Sequence, residues 1–138
     1  MDEPEVVEIP INLEECFVAL NKILPPETIE QIKTDKIEPE EGMTEEHALG
    51  LFHHWLHMGL GMHLRNTWRL WYESPLVEWF NAHDVWHADD MSGIIIDSYK
   101  KRLNGQPIDL ESQVKHYNNY WKNKKVDIKA ETLAARKK

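Results

Sequence analysis

Apolar residues recur every three or four positions along most of the chain. Leu13, Phe17, Leu20 and Leu24 follow Asn12, a good N-cap residue, and predict a short amphipathic helix. Pro25 and Pro26 stop it, and "PPETIEQIK" restarts a second helix with proline in the first turn, where a missing N–H costs nothing. "TDKIEPEEGMTEEHA" is polar and reads as a loop ending at Thr44. From Glu45 to about Trp71 the pattern Leu49, Phe52, Leu56, Leu60, Leu64, Trp68 and Trp71 is helical, with Glu45 and Glu46 placed to suit the helix dipole. Gly59 and Gly61 interrupt it. Each costs about 1 kcal/mol relative to alanine inside a helix, so the pair implies close approach of another backbone, a kink or a ligand against the main chain, and close packing is preferred.

"SPLVEWFN" gives a short helix with Ser74 as N-cap and Pro75 at its first position. "HADDMSGIIIDSYKKRLNG" follows, capped by Asp89 or Asp90, with Lys100, Lys101 and Arg102 in its last turns and Asn104 and Gly105 as the stop. "QPIDLESQVKHYNNYWKNKK" supplies another helix, capped by Asp109 and burying Leu110, Val114, Tyr117 and Trp121. The tail "VDIKAETLAARKK" has helical propensity but little apolar face, and is expected to gain order on binding or in an oligomer. Alternation appears only in the short "VVEIPI" near the start. The expectation is all-α: a single compact bundle of about five or six helices over residues 1–125, with a short N-terminal extension, then a basic helical tail over 126–138.

A chain of 138 residues can bury a core without disulfides or a structural metal. Its single cysteine, Cys16, sits in an apolar-periodic segment and reads as a buried, reduced thiol. No segment has the roughly 20 apolar residues of a membrane span, and the acidic start "MDEPEVVEIP" is unlike a signal peptide, so a cytoplasmic protein is expected. The net charge of -8 argues against general nucleic-acid binding. Its distribution says more: residues 1–50 hold 14 acidic and 3 basic side chains, whereas residues 98–138 hold 4 and 11. Either the acidic front offsets the basic back, or one of them meets a partner.

Seven of the eight histidines lie between residues 47 and 87. His53 and His57 are four apart, as are His83 and His87, so the four could converge with a carboxylate on Zn or Mn if their helices face each other. The zincin pattern fails because His54, not glutamate, follows His53. Ser92 lacks the glycine-rich elbow of a nucleophile. Arg65 and Asn66 stand in an otherwise apolar helix, and a buried arginine needs a partner, for which Asp89 and Asp90 are available. An Arg65–Asp bond would then tie the long helix to the start of the later one.

"LHMGLGMHLRNTWRLW" with "HADDMSGIIIDSYKKRLNG" resembles a small uncharacterised bacterial domain family, a domain of unknown function, over roughly residues 12–121. The resemblance falls on His57, Gly59, Gly61, Arg65, Asn66, Trp68 and Trp71, then on His87, Asp89, Asp90, Met91 and Ser92. His63 stands where the family usually has an aromatic residue and Ala88 where it has proline. The resemblance implies no activity, but it favours a polar cluster of His57, Arg65, Asn66, His87 and Asp89 or Asp90 flanked by Trp68 and Trp71, serving as a structural network or as a pocket for a small polar ligand.

With no convincing catalytic set and six tryptophans, a residue enriched at binding hot spots, the expected function is non-enzymatic binding of the immunity, inhibitor or phage counter-defence type. Such a protein would occupy a protein partner or small polar ligand, with no resident cofactor and with a homodimer left open. The alternative is a metal-assisted hydrolase of a phosphate-containing molecule, using His57, His87, Asp89 and Asp90, with Arg65 holding the phosphate. A small-molecule sponge is a third reading.

Overall fold

The computed structural model describes residues 8–136, and within them there are helices and no strand. The order is α1 (Leu13–Ile23), α2 (Pro26–Thr34), α3 (Glu45–Trp55), a π-helical turn (Leu56–Leu60), α4 (Gly61–Thr67), α5 (Pro75–Ala82), α6 (Ala88–Leu103), α7 (Leu110–Asn123) and α8 (Ile128–Arg136). Because α3, the π turn and α4 run on without a break, these are seven helical rods, above the five or six expected. The fold is all-α. Most of "VVEIPI" lies within the described residues and is not a strand; Val6 and Val7, like most of the N-terminal extension, lie outside them.

The three consecutive isoleucines of α6 put apolar side chains on more than one side of the helix, which places it at the centre of the fold. Ten of its sixteen residues are buried, so it must be covered from several directions. It packs against α1, α2, the π turn, α4 and α7. The core also takes in Cys16, Phe17 and Leu20 from α1, Ile32 from α2, Leu60 and Leu64 from the long helix, and Leu76, Val77 and Phe80 from α5. Cys16 is fully buried, and burial raises its thiol pKa, in line with an inert thiol.

Local chemistry sets the helix ends. Asn12, Thr44, Ser74 and Asp109 each accept a hydrogen bond from the backbone N–H three residues on, as N-caps should. The basic end of α6 meets the acidic front of the chain: Arg102 forks onto both oxygens of Glu14, and Lys100 and His53 both reach Asp35. Hydrogen bonding from Arg102 holds the Glu14 carboxyl below its usual range. Burial works to raise Asp35, but the bonds from Lys100 and His53 outweigh it. Part of the charge asymmetry is thus offset internally.

Three glycines mark close approaches, though not of the expected kind. A Cβ at Gly59 would lie 2.6 Å from Trp55 Cδ1, and one at Gly61 would lie 2.9 Å from Arg65 Nη1. The close approach expected of another backbone is instead made by side chains of the same helix, one turn away on either side. At the α6–α7 crossing, a Cβ on Gly93 would meet Tyr117 Oη at 2.3 Å. Burial, with Asp97 and Asp90 nearby, pushes the Tyr117 phenol up to about 12. In the tail, Ile128–Arg136 form α8, whose start is held by Asp127 accepting from Ala130 N–H at 3.0 Å.

Gly93→Ala is expected to destabilise the protein by about 1–3 kcal/mol in urea unfolding, the usual range for overpacking a tight contact. Adding Tyr117→Phe, which removes the clashing oxygen, should restore part of the loss; no recovery would show that the crossing is not limited by that contact.

Candidate functional site

Arg65 is the side chain around which the motif residues gather. The glycine at 61 leaves room for its guanidinium to fold back along the helix toward α6. Nη1 donates to Ser92 Oγ at 2.8 Å, and Nε lies 3.3 Å from Asp89 Oδ1. Ser92 Oγ in turn donates to the Asp89 carbonyl at 3.0 Å. Arg65 is 8% exposed and Ser92 2%, so the charge is drawn out of water and compensated where it lies. The expected Arg65–Asp link is present, on Asp89. Ser92 as the second partner was not foreseen, and with both hydroxyl functions engaged it is not a free nucleophile.

The N-cap of α6 corrects the sequence reading. Neither Asp89 nor Asp90 caps the helix; His87 does, its Nδ1 accepting from Asp89 N–H at 3.0 Å. The acceptor role at Nδ1 places the ring proton on Nε2. Asp89 and Asp90 therefore fall in the first turn, where their charge suits the helix dipole. The His87 ring stacks on Trp121 with centroids 5.3 Å apart and meets Trp71 edge-on at 5.3 Å. Asp90 turns away from Arg65 and accepts from Trp121 Nε1 at 2.7 Å. Asp90 is 6% exposed, and burial raises its pKa against the lowering effect of that bond.

The remaining expected residues are dispersed. Trp68 is buried in the core, Asn66 is exposed, and Trp71 is half-exposed. His57 faces Asp97 at 3.9 Å, eight residues and so about 12 Å along α6 from Asp89. His53 pairs with Asp35, and His83 packs on Trp79 with ring centroids 4.3 Å apart. The four histidines thus point to four different neighbours. Among the described residues, no three His, Cys, Asp or Glu side chains are grouped to hold a metal ion.

Beside the sealed Arg65 knot lies an open cavity of about 580 Å³ between the α4–α5 turn, the start of α6 and one side of α8. Trp71, Tyr72, Trp86 and His87 line it, with Glu73, Glu131 and Arg136 as charged groups. Three helix exits meet around this end of the molecule. Arg69, Asp84 and Lys125 take the left-handed conformation after α4, α5 and α7, with φ of 55°, 65° and 58°. In each case the next residue, Leu70, Val85 or Val126, donates back to the carbonyl five positions earlier. That conformation costs about 1 kcal/mol or more for a residue with a Cβ, and Leu70 and Val85 offset it by burial. Trp86, Tyr72, Trp121 and Arg136 were not singled out as site residues; the tryptophan excess was the one signal that bore on them.

The fold and this site define a small all-α domain whose motif residues tie its longest helices together beside an aromatic cavity. The chain belongs to the family described as Domain of unknown function (DUF6794), whose profile matches residues 9–103, from the approach to α1 to the end of α6. The match stops short of α7, which the sequence resemblance had included. No curated protein and no solved structure gives a significant match. Among the described residues, no helix is long and apolar enough to cross a membrane.

Because burial lifts Asp90 above its ordinary 3.8, its charged form is disfavoured in the folded state, and its contribution to stability falls as pH rises through 3.8 toward the folded value. Asp90→Asn should therefore be at least as stable as the wild type at pH 7, with its advantage disappearing below pH 3.8. Thermal unfolding across pH checks this; an amide variant destabilised equally at every pH would contradict it.

Proposed function

We propose that the protein is a non-enzymatic binding protein of the inhibitor or immunity kind, the kind also used in phage counter-defence, which acts by occupying its partner. The observation that carries this reading is the mutual commitment of the motif's reactive groups. Arg65 is compensated by Ser92 and Asp89, Asp90 receives Trp121, and His87 caps α6. What stays open beside them is an aromatic cavity large enough for a small polar ligand or a few side chains of a protein. Tryptophan and tyrosine suit such a role because they supply large contact area with few rotatable bonds.

The charge pattern supports a polar or basic partner and opposes nucleic acid in general. The lone, buried cysteine suits a reducing cytoplasm. A metal-assisted phosphate hydrolase finds less support. Arg65 would have to leave two partners to reach a phosphate, and His57 stands too far along α6 to share an ion with Asp89.

The purified protein is expected to show no turnover of p-nitrophenyl phosphate or bis-p-nitrophenyl phosphate above background, with or without added Zn²⁺ or Mn²⁺. Metal-dependent turnover that disappears in His87→Ala and Asp89→Ala would overturn the binding reading.

A further inference from the structure

Beyond Leu103 the chain leaves the family match, and α7 and α8 lie outside it. α8 has no buried residue, yet it forms one wall of the aromatic cavity. Its hydrogen bond and ring contacts to the rest of the molecule come from charged side chains. Arg136 Nη2 donates to Asn81 Oδ1 at 3.0 Å, and its guanidinium carbon lies 6.0 Å from the Trp86 ring centroid. Lys129 Nζ lies 5.2 Å from the same ring. The indole is fixed for this by its own N–H, which donates to Asp84 Oδ1 at 2.8 Å. Tyr72, also lining the cavity, carries Arg69 at 4.8 Å. The rings at this end of the molecule therefore already attract cations, as aromatic faces beside carboxylates do.

The charge division follows the same boundary. The family-matched residues 9–103 hold 16 acidic and 8 basic side chains, while residues 104–138 hold 4 and 8. A helix with no buried residue, meeting the domain through two ring cations, one hydrogen bond and the half-buried Ile128 and Thr132, is held at the weak end of the range for native segments. Its advantage over a free peptide is tethering, which sets an effective concentration on the order of millimolar for a short connection.

We infer that the Trp86 face is a docking site for the basic side chains of a helical segment of a protein partner, and that α8 occupies it as an intramolecular stand-in. This rests on the binding reading above and names the partner's chemistry: a helix presenting Lys or Arg side chains about two turns apart, as Lys129 and Arg136 are. The partner's helix displaces α8 and takes over its contacts with Trp86 and Asn81. The tail thus sets a threshold, since only a segment that outcompetes it is bound.

The test uses the full chain and a labelled synthetic peptide of residues 126–138, VDIKAETLAARKK, followed by fluorescence anisotropy. Wild-type protein should bind the peptide weakly, because its own α8 holds the site. The Lys129→Glu/Arg136→Glu protein should bind it about tenfold more tightly or better. A peptide carrying the same two glutamates should lose that binding, as should the double variant with Trp86→Leu added. Equal affinity for wild-type and double-variant protein, absence of binding to either, or full binding of the glutamate peptide would overturn the inference; the peptide comparison decides it even if Trp86→Leu does not fold. Failure here with no phosphate-ester turnover leaves the binding reading in place, whereas turnover removes both.

Discussion

The Arg65 guanidinium, held against Ser92 and Asp89 in the space left by Gly61, is the contact on which this arrangement depends. A charge with 8% exposure is tolerable only where its donors are met, and the acceptors it finds belong to the first turns of α6. That requirement explains why neighbouring positions are small. A larger residue at Gly61 would press on the guanidinium, and at Ser92 a side chain without a hydroxyl would leave Nη1 without its acceptor. The continuous helix from α3 to α4 is thereby fixed in register against the central helix.

Once the start of α6 is fixed, the outer helices follow. His87 closes the helix from outside, and its ring lies between Trp71 of the α4–α5 turn and Trp121 of α7. Trp121 reaches Asp90, Gln113 donates to Ser98 and Tyr117 lies over Gly93, so α7 is held by two hydrogen bonds and one steric contact with the same helix. α8 then rests on Trp86, at the edge of the arrangement rather than within its core. The gradient from buried arginine to open aromatic cavity leaves the motif's polar groups inside and the aromatic rings accessible outside, and it is the physical basis for the proposal that the molecule is a binder.

Much of the fold was legible because its signals are local. Asn12, Thr44, Ser74 and Asp109 cap helices three residues from their targets, and the proline pair marks a break that needs no tertiary context. The Arg65–Asp89 link could be anticipated because an arginine in an apolar stripe demands an acceptor. The cap of α6 could not be, since aspartate is the stronger N-cap by preference and two of them stand beside His87; the extended backbone at His87 decided it. Nor could the partner of Asp90, which is 31 residues away, or the phenol over Gly93: a glycine in a helix says that something comes close, not what. The histidine pairs at four-residue spacing suggested a metal site, but spacing fixes only the face of a helix and not what that face meets.

Coupling between Arg65 and α6 joins the long helix to the central one, and a double-mutant cycle measures that coupling directly. Urea unfolding of wild type, Arg65→Met, Ser92→Ala and the double variant should give an interaction energy of about 1.5–3 kcal/mol, as for a buried hydrogen bond to a charged group. An interaction energy near zero, with the two single losses simply adding, would show that the guanidinium does not join the long helix to α6 and would contradict the account.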